Sequence, residues 1–138
     1  MNKSIEFYKN VLGLQLVGDM IMEGPEVEIL TRVKDAKLRV VYFNNSENLN
    51  FPPVELIQFL EPNHIGKPYE KLNNVGISEV CFQVENIESI YLDLKKRGVQ
   101  FLSCPQFFDL TSQGYGKSKA VYFKDIDGNI LELIEEIK

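Results

Sequence analysis

The sequence has a single histidine, His64, and only two cysteines, Cys81 and Cys104. One histidine excludes a His-rich metal site and any site that needs two imidazoles. Two cysteines so far apart form neither a CxxC knuckle nor a disulfide framework. Each is therefore expected as a small buried hydrophobe. No stretch approaches the ~18 apolar residues of a membrane-crossing helix. Met1-Asn2-Lys3-Ser4 lacks the apolar core of a signal peptide. A cytoplasmic, reducing location without a membrane partner is the expectation. Bases are also in short supply, 15 against 20 acids, for a net charge of -5. Nucleic-acid binding leans on a basic face that neutralises phosphates, so no nucleic-acid partner is expected. The densest basic cluster, Lys95-Lys96-Arg97, closes an expected helix, where positive charge complements the helix dipole. Gln113-Gly114-Tyr115-Gly116-Lys117 lacks the spacing of a phosphate-binding GxxxxGK[ST] loop and reads as a mobile loop. No Ser-His-Asp or Cys-His arrangement is visible.

The chain has 138 residues, 44% hydrophobic and 25% charged, which suits one globular domain. Helical periodicity appears over Asn2–Leu12 and again over Ile87–Arg97. Each segment stops at a glycine, Gly13 or Gly98, as helix C-termini commonly do. Strands are expected near Leu14–Met22, Val27–Val33, Leu38–Phe43, Val54–Leu60, Ser78–Val84, Val99–Leu102, Lys119–Phe123 and Ile130–Glu135, with turn residues between them.

The chain repeats itself. Ser4-Ile5 recurs as Ser89-Ile90, and Gly13 recurs as Gly98, both 85 residues on. Val41-Tyr42-Phe43 recurs as Val121-Tyr122-Phe123, and Glu55-Leu56-Ile57 as Glu132-Leu133-Ile134. These colinear matches beside equivalent elements predict a duplication. Module one covers 1–62, module two covers 74–138, and 63–73 is the connecting loop. The counterpart of the strand at Glu79 would fall before Met1, so the first module is expected to lack its leading strand. The edge left open would call for upstream sequence or a partner chain.

Strand alternation sorts the side chains. Val80, Phe82 and Val84 share one face, suited to packing under a helix, while Glu79, Cys81 and Gln83 share the other. Glu55 lies with Ile57 and Phe59, and Glu132 with Ile130 and Ile134. A carboxylate on an apolar strand face is costly unless it is paired or bound to a cation.

Three stretches carry a likeness to a known family. They are Lys3-Ser4-Ile5-Glu6-Phe7-Tyr8-Lys9-Asn10-Val11-Leu12-Gly13-Leu14, then Asn74-Val75-Gly76-Ile77-Ser78-Glu79-Val80-Cys81-Phe82-Gln83-Val84, and Val121-Tyr122-Phe123-Lys124-Asp125-Ile126-Asp127-Gly128-Asn129-Ile130-Leu131-Glu132-Leu133-Ile134. With Val54-Glu55-Leu56, they resemble the vicinal oxygen chelate superfamily, the group of glyoxalases, bleomycin resistance proteins and extradiol dioxygenases. The resemblance implies an α+β fold in which two βαβββ modules form a cupped mixed sheet, here with the first module short of one strand. It implies a divalent metal in the cup. Carried over position by position, Glu55, Glu79 and Glu132 are the candidate ligands, and either Glu55 or Glu132 doubles as catalytic base. Glu79 stands where the family most often has histidine.

Oxygen ligands favour Mg²⁺ or Mn²⁺, a histidine from the absent strand would admit Ni²⁺ or Zn²⁺, and a site without metal is equally compatible. Cys81, Gln83, Phe107, Phe108 and Tyr115 are the candidate substrate pocket. The functional expectation is a glyoxalase-like lyase or isomerase acting on a small oxygenated molecule. The alternative is a non-catalytic small-molecule binding or resistance protein of the same fold. A two-His-one-carboxylate iron site is disfavoured by the histidine count. A homodimer is expected.

Overall fold

The first helix starts at once. In a computed structural model, which describes residues 1–48 and 53–138, α1 runs Asn2–Glu6 and widens into a π-helical stretch over Phe7–Val11. The Leu12 amide donates to the Phe7 carbonyl at 3.0 Å, and Gly13 turns the chain out at φ +81°. The chain divides into two compact units, Met1–Lys67 and Pro68–Lys138.

In the first unit, β1 (Gln15–Glu23), β2 (Lys37–Asn44) and β3 (Val54–Glu61) form an antiparallel sheet in that order. Alternation on β2 splits the core. Val41 and Phe43 are fully buried on one face, with Tyr8 of the helical stretch stacked on Phe43 at 5.6 Å. Arg39 ties the same helix to the sheet, donating to both carboxylate oxygens of Asp19 at 2.9 and 2.7 Å and to the Asn2 side chain at 2.6 Å. Leu38 and Val40 point the other way, into a cluster with Val27, Ala36, Met22, Val33, Tyr42 and Phe59.

The expected strand at Val27–Val33 is instead a helix, α2, over Pro25–Thr31. Its start signals outweigh its β-branched residues. Pro25 follows Gly24 at the first helical position, Glu26 and Glu28 sit in the first turn, and the Val27 and Glu28 amides both donate to the Gly24 carbonyl. The Thr31 hydroxyl bonds back to the Val27 carbonyl at 2.7 Å. Only Val27 of this helix is buried, while Ile29 and Leu30 are 78% and 77% exposed.

In the second unit, β4 (Glu79–Gln83) lies parallel to β8 (Ile130–Ile137), which pairs antiparallel with β7 (Lys117–Lys124). Two short strands, β5 (Gln100–Phe101) and β6 (Gln106–Asp109), both pair with β7. The sequence reading had no strand at β6. The Ser103-Cys104-Pro105 interruption hides it, leaving a strand of only four residues. Helix α3 (Ile87–Lys96) buries Ile87 and Leu94, and its Tyr91 ring meets Phe101 at 4.7 Å, which in turn meets the buried Phe123 of β7 at 5.4 Å. Glu135 fixes its start by accepting from the Asn86 and Ile87 amides at 2.8 and 3.1 Å. Lys119 adds an ion pair to Glu88 at 2.9 Å, and Arg97 of the basic cluster closes on Asp93 at 2.8 Å.

By the repeat, β3 is the counterpart of β8. In the second unit β4 flanks β8; among the described residues of the first unit, β3 pairs with β2 alone. No helix among the described residues is long and apolar enough to cross a membrane.

Candidate functional site

The parallel β4–β8 ladder sets Cys81 beside Glu132, and the antiparallel β7–β8 ladder sets Tyr122 on the other side of Glu132. Residues directly opposite in a ladder share a face. Glu79, two residues before Cys81, falls on that face too. One strand face therefore holds two carboxyls, a thiol and a phenol, with Glu132 in the middle. Val121, Phe123, Leu131 and Leu133 alternate to the other face and are buried. The apolar set anchors the strands and presents the polar set.

The four groups perturb one another. Partial desolvation raises the Glu79 carboxyl, and the charge of Glu132 and a hydrogen bond to it add to the effect. Holding its proton lets Glu79 avoid setting a second negative charge beside Glu132. The Cys81 thiol is pushed up to about 12, first by desolvation, then by its hydrogen bond to Glu132 and the charges of Glu132 and Glu79. Tyr122 is raised by desolvation and by the same acids. Cys81 and Tyr122 thus stay neutral donors at ordinary pH, and Glu132 accepts hydrogen bonds from Glu79 and Cys81.

Glu55 belongs to the first unit. It faces Tyr42 across β2 and β3, as Glu132 faces Tyr122. Burial raises the Tyr42 phenol, with the charge of Glu55 and a hydrogen bond to it contributing. Gly18 is the β1 residue opposite Tyr42. A Cβ there would meet the Tyr42 ring at 3.0 Å and the Met20 methyl at 3.3 Å, so the glycine leaves the space in which Tyr42 lies.

Both cysteines are exposed, against the expectation of burial. Cys81 lies on the polar face of β4, and Cys104 sits in the break between β5 and β6, where the Gln106 amide donates to its carbonyl at 2.9 Å. Val80 is 44% exposed on its edge strand and does not complete an apolar floor. Gln83 shares the Cys81 face, opposite Ile134. Phe107 and Phe108 do not line one pocket. Phe108 faces Ser118 on the Tyr122 side of the sheet, whereas Phe107 faces Lys119 on the α3 side. Tyr115 is 70% exposed in a hydrogen-bonded turn, where the Leu110 carbonyl accepts from the Gln113 and Tyr115 amides. His64 is exposed in the connection.

Among the described residues, no group of three or more His, Cys, Asp or Glu side chains is arranged to hold a metal ion. The second unit offers two carboxyls and a neutral thiol. That donor set does not fit a divalent ion without further ligands.

Residues 1–133 match the family model described as Glyoxalase/Bleomycin resistance protein/Dioxygenase superfamily. The chain belongs to that superfamily. Solved members share its fold at low identity. A glyoxalase family protein from Bacillus cereus is 22% identical with a TM-score of 0.81, covering 100% of this chain and 87% of its own. A glyoxalase family protein from Enterococcus faecalis is 21% identical at 0.63, covering 98% and 88%. The trypanothione-dependent glyoxalase I of Leishmania major is 18% identical at 0.59, covering 98% and 78%. No curated protein matches the chain. Within this glyoxalase-type fold, sequence reasoning missed the two tyrosines. The signal was present: Tyr42 and Tyr122 sit in the repeated Val-Tyr-Phe, and alternation places them opposite the repeated glutamates.

Proposed function

We propose that this chain binds a small oxygenated molecule on the Glu79–Cys81–Tyr122–Glu132 face and moves a proton on it, as a glyoxalase-like isomerase or lyase. The observation that carries the reading is the place of Glu132 between a neutral phenol, a neutral thiol and a second carboxyl. Ionised Glu132 takes a proton from the carbon next to a carbonyl. The Tyr122 hydroxyl donates to the carbonyl oxygen as negative charge develops there. The carboxyl pair then returns the proton to the former carbonyl carbon while the proton of the vicinal hydroxyl passes to the former carbonyl oxygen, which completes an isomerisation. The expected ion on Glu55, Glu79 and Glu132 is not part of this scheme, since the donor set in hand does not fit it.

The test is solvent-deuterium incorporation into a panel of α-hydroxycarbonyl compounds in D₂O, followed by NMR. Wild type should exchange the proton next to the carbonyl, and Glu132→Gln should lose at least about 100-fold of that rate. Equal exchange by the two proteins contradicts the reading. Repeating the assay with EDTA and with Mg²⁺, Mn²⁺, Ni²⁺ and Zn²⁺ shows whether an ion participates. The second reading is a non-catalytic small-molecule binding or resistance protein of the same fold. Binding without exchange selects it.

The same proposal extends to a homodimer in the cytoplasm, supported by the exposed Ile29 and Leu30 of α2 and the two free thiols. A monomer by light scattering at micromolar concentration removes the dimer.

A further inference from the structure

The tyrosine–glutamate pair occurs twice, but the two glutamates are not held alike. Glu132 lies on a strand paired on both sides, with Tyr122 of β7 on one and Cys81 of β4 on the other. Among the described residues, Glu55 has a neighbouring strand only on the Tyr42 side. A glutamate side chain has several torsions to fix, and a partner on each side fixes more of them than a partner on one.

The two cysteines use their sulfur in opposite ways. Cys104 accepts, from the Gln106 side-chain amide at 3.2 Å. Cys81 donates, to Glu132. A thiol is a weak donor. A strong donor would hold an ionised carboxylate in place, but it would also stabilise the charged form and so weaken it as a base. A thiol holds the carboxylate with less of that loss.

The geometry points to Cys81 as the positioning residue of Glu132: its hydrogen bond keeps the carboxylate turned for proton transfer, and its weakness as a donor leaves that carboxylate basic. The inference rests on the proton-transfer reading above and goes beyond it. Cys81 forms no bond to the substrate and keeps its own proton throughout. The residue type is therefore specific. Alanine leaves the carboxylate free to turn, whereas serine holds it and makes it a poorer base.

The test combines infrared spectroscopy with kinetics on the full chain. The S–H stretching band of Cys81, identified by its loss in Cys81→Ala, should lie below that of Cys104, because its acceptor carries a full charge. Glu132→Gln should move this band up and leave the Cys104 band in place. In the deuterium-exchange assay with hydroxyacetone, Cys81→Ala should lose about tenfold of kcat with KM within about twofold, as misorientation of a base predicts. Cys81→Ser should keep at least about a third of the wild-type kcat. A Cys81 band indifferent to Glu132, wild-type kcat in Cys81→Ala, or Cys81→Ser no better than the alanine variant each overturns the positioning role. Exchange by wild type and its loss in Glu132→Gln would then leave the proton-transfer reading standing. Absence of exchange in wild type overturns that reading, and the positioning role falls with it.

Discussion

Tyr122 faces Glu132 directly across β7 and β8. The first unit repeats the relation with Tyr42 and Glu55. Each unit carries a tyrosine–glutamate pair, and in the second unit Glu79 and Cys81 of β4 stand beside it. These two neighbours make the surroundings of the Glu132 pair chemically distinct.

The Cys81 thiol reports on that difference. Its elevation to about 12 has desolvation as its largest cause, followed by the hydrogen bond to Glu132 and the negative charges nearby. Glu132→Gln removes one charge and so favours the thiolate. The thiol of this variant should titrate at least about one unit lower, and Cys81 should be alkylated several-fold faster at mildly alkaline pH. Site-resolved mass spectrometry of iodoacetamide labelling separates it from Cys104. An unchanged rate at Cys81 would mean that Glu132 does not act on it.

Glu79 predicts a pH dependence of stability. Its carboxyl is raised above 4.5, chiefly by desolvation and then by Glu132. A raised carboxyl holds its proton more tightly in the folded protein than in the unfolded chain. The resulting stabilisation is complete below about 4.5 and is lost as pH rises through the folded value. Glu79→Gln lacks this dependence. Urea unfolding should find the variant gaining on wild type as pH rises from 4.5 to neutrality, by a modest amount because Glu79 is exposed. A difference that shrinks over that range contradicts the assignment.

Helix α2 makes a sharp contrast among neighbours. In a strand, Val27, Ile29 and Thr31 would share a face. In the helix, only Val27 is buried. Val27→Ala should cost about 1–3 kcal/mol, while Ile29→Ser and Leu30→Gln should each stay within about 0.5 kcal/mol. Chemical denaturation of the three variants decides it. Equal losses at 27 and 29 would restore the strand.

Gly18 tests the space around Tyr42. The Cβ of Gly18→Ala would stand 3.0 Å from the Tyr42 ring, inside ordinary contact. The ring must shift away from its place beside Glu55. A loss of about 1–3 kcal/mol is expected, and the Tyr42 phenol should titrate closer to its ordinary range of about 10 in an ultraviolet titration. No change in either measurement would show that the glycine is not needed there.

Most of this architecture was legible in the residues. Helical spacing located both long helical segments and Gly13 and Gly98 their ends, because those signals are local. Alternation puts Glu79, Cys81 and Gln83 on one face of their strand, whereas the β4–β8 register is what sets Glu132 beside them. Helix α2 was not legible from β-branched content, since Glu-Val-Glu-Ile-Leu alternates like a strand while its helix signal lies outside it, in Gly24-Pro25. The exposure of Cys81 was misread because composition gives a residue's usual burial and only the strand face gives its actual one. Phe107 and Phe108 were grouped by adjacency, although adjacent residues in a strand point to opposite faces. That correction needed a strand, β6, which the sequence had concealed behind Pro105.

The most direct test of the central claim is to map where a small vicinal-oxygen compound, hydroxyacetone, perturbs the amide spectrum of the full chain. The largest shifts should fall on Glu79, Cys81, Tyr122 and Glu132, and Glu132→Gln should abolish them. Shifts confined to the first unit around Tyr42 and Glu55, or shifts at the four residues that survive Glu132→Gln, would contradict it.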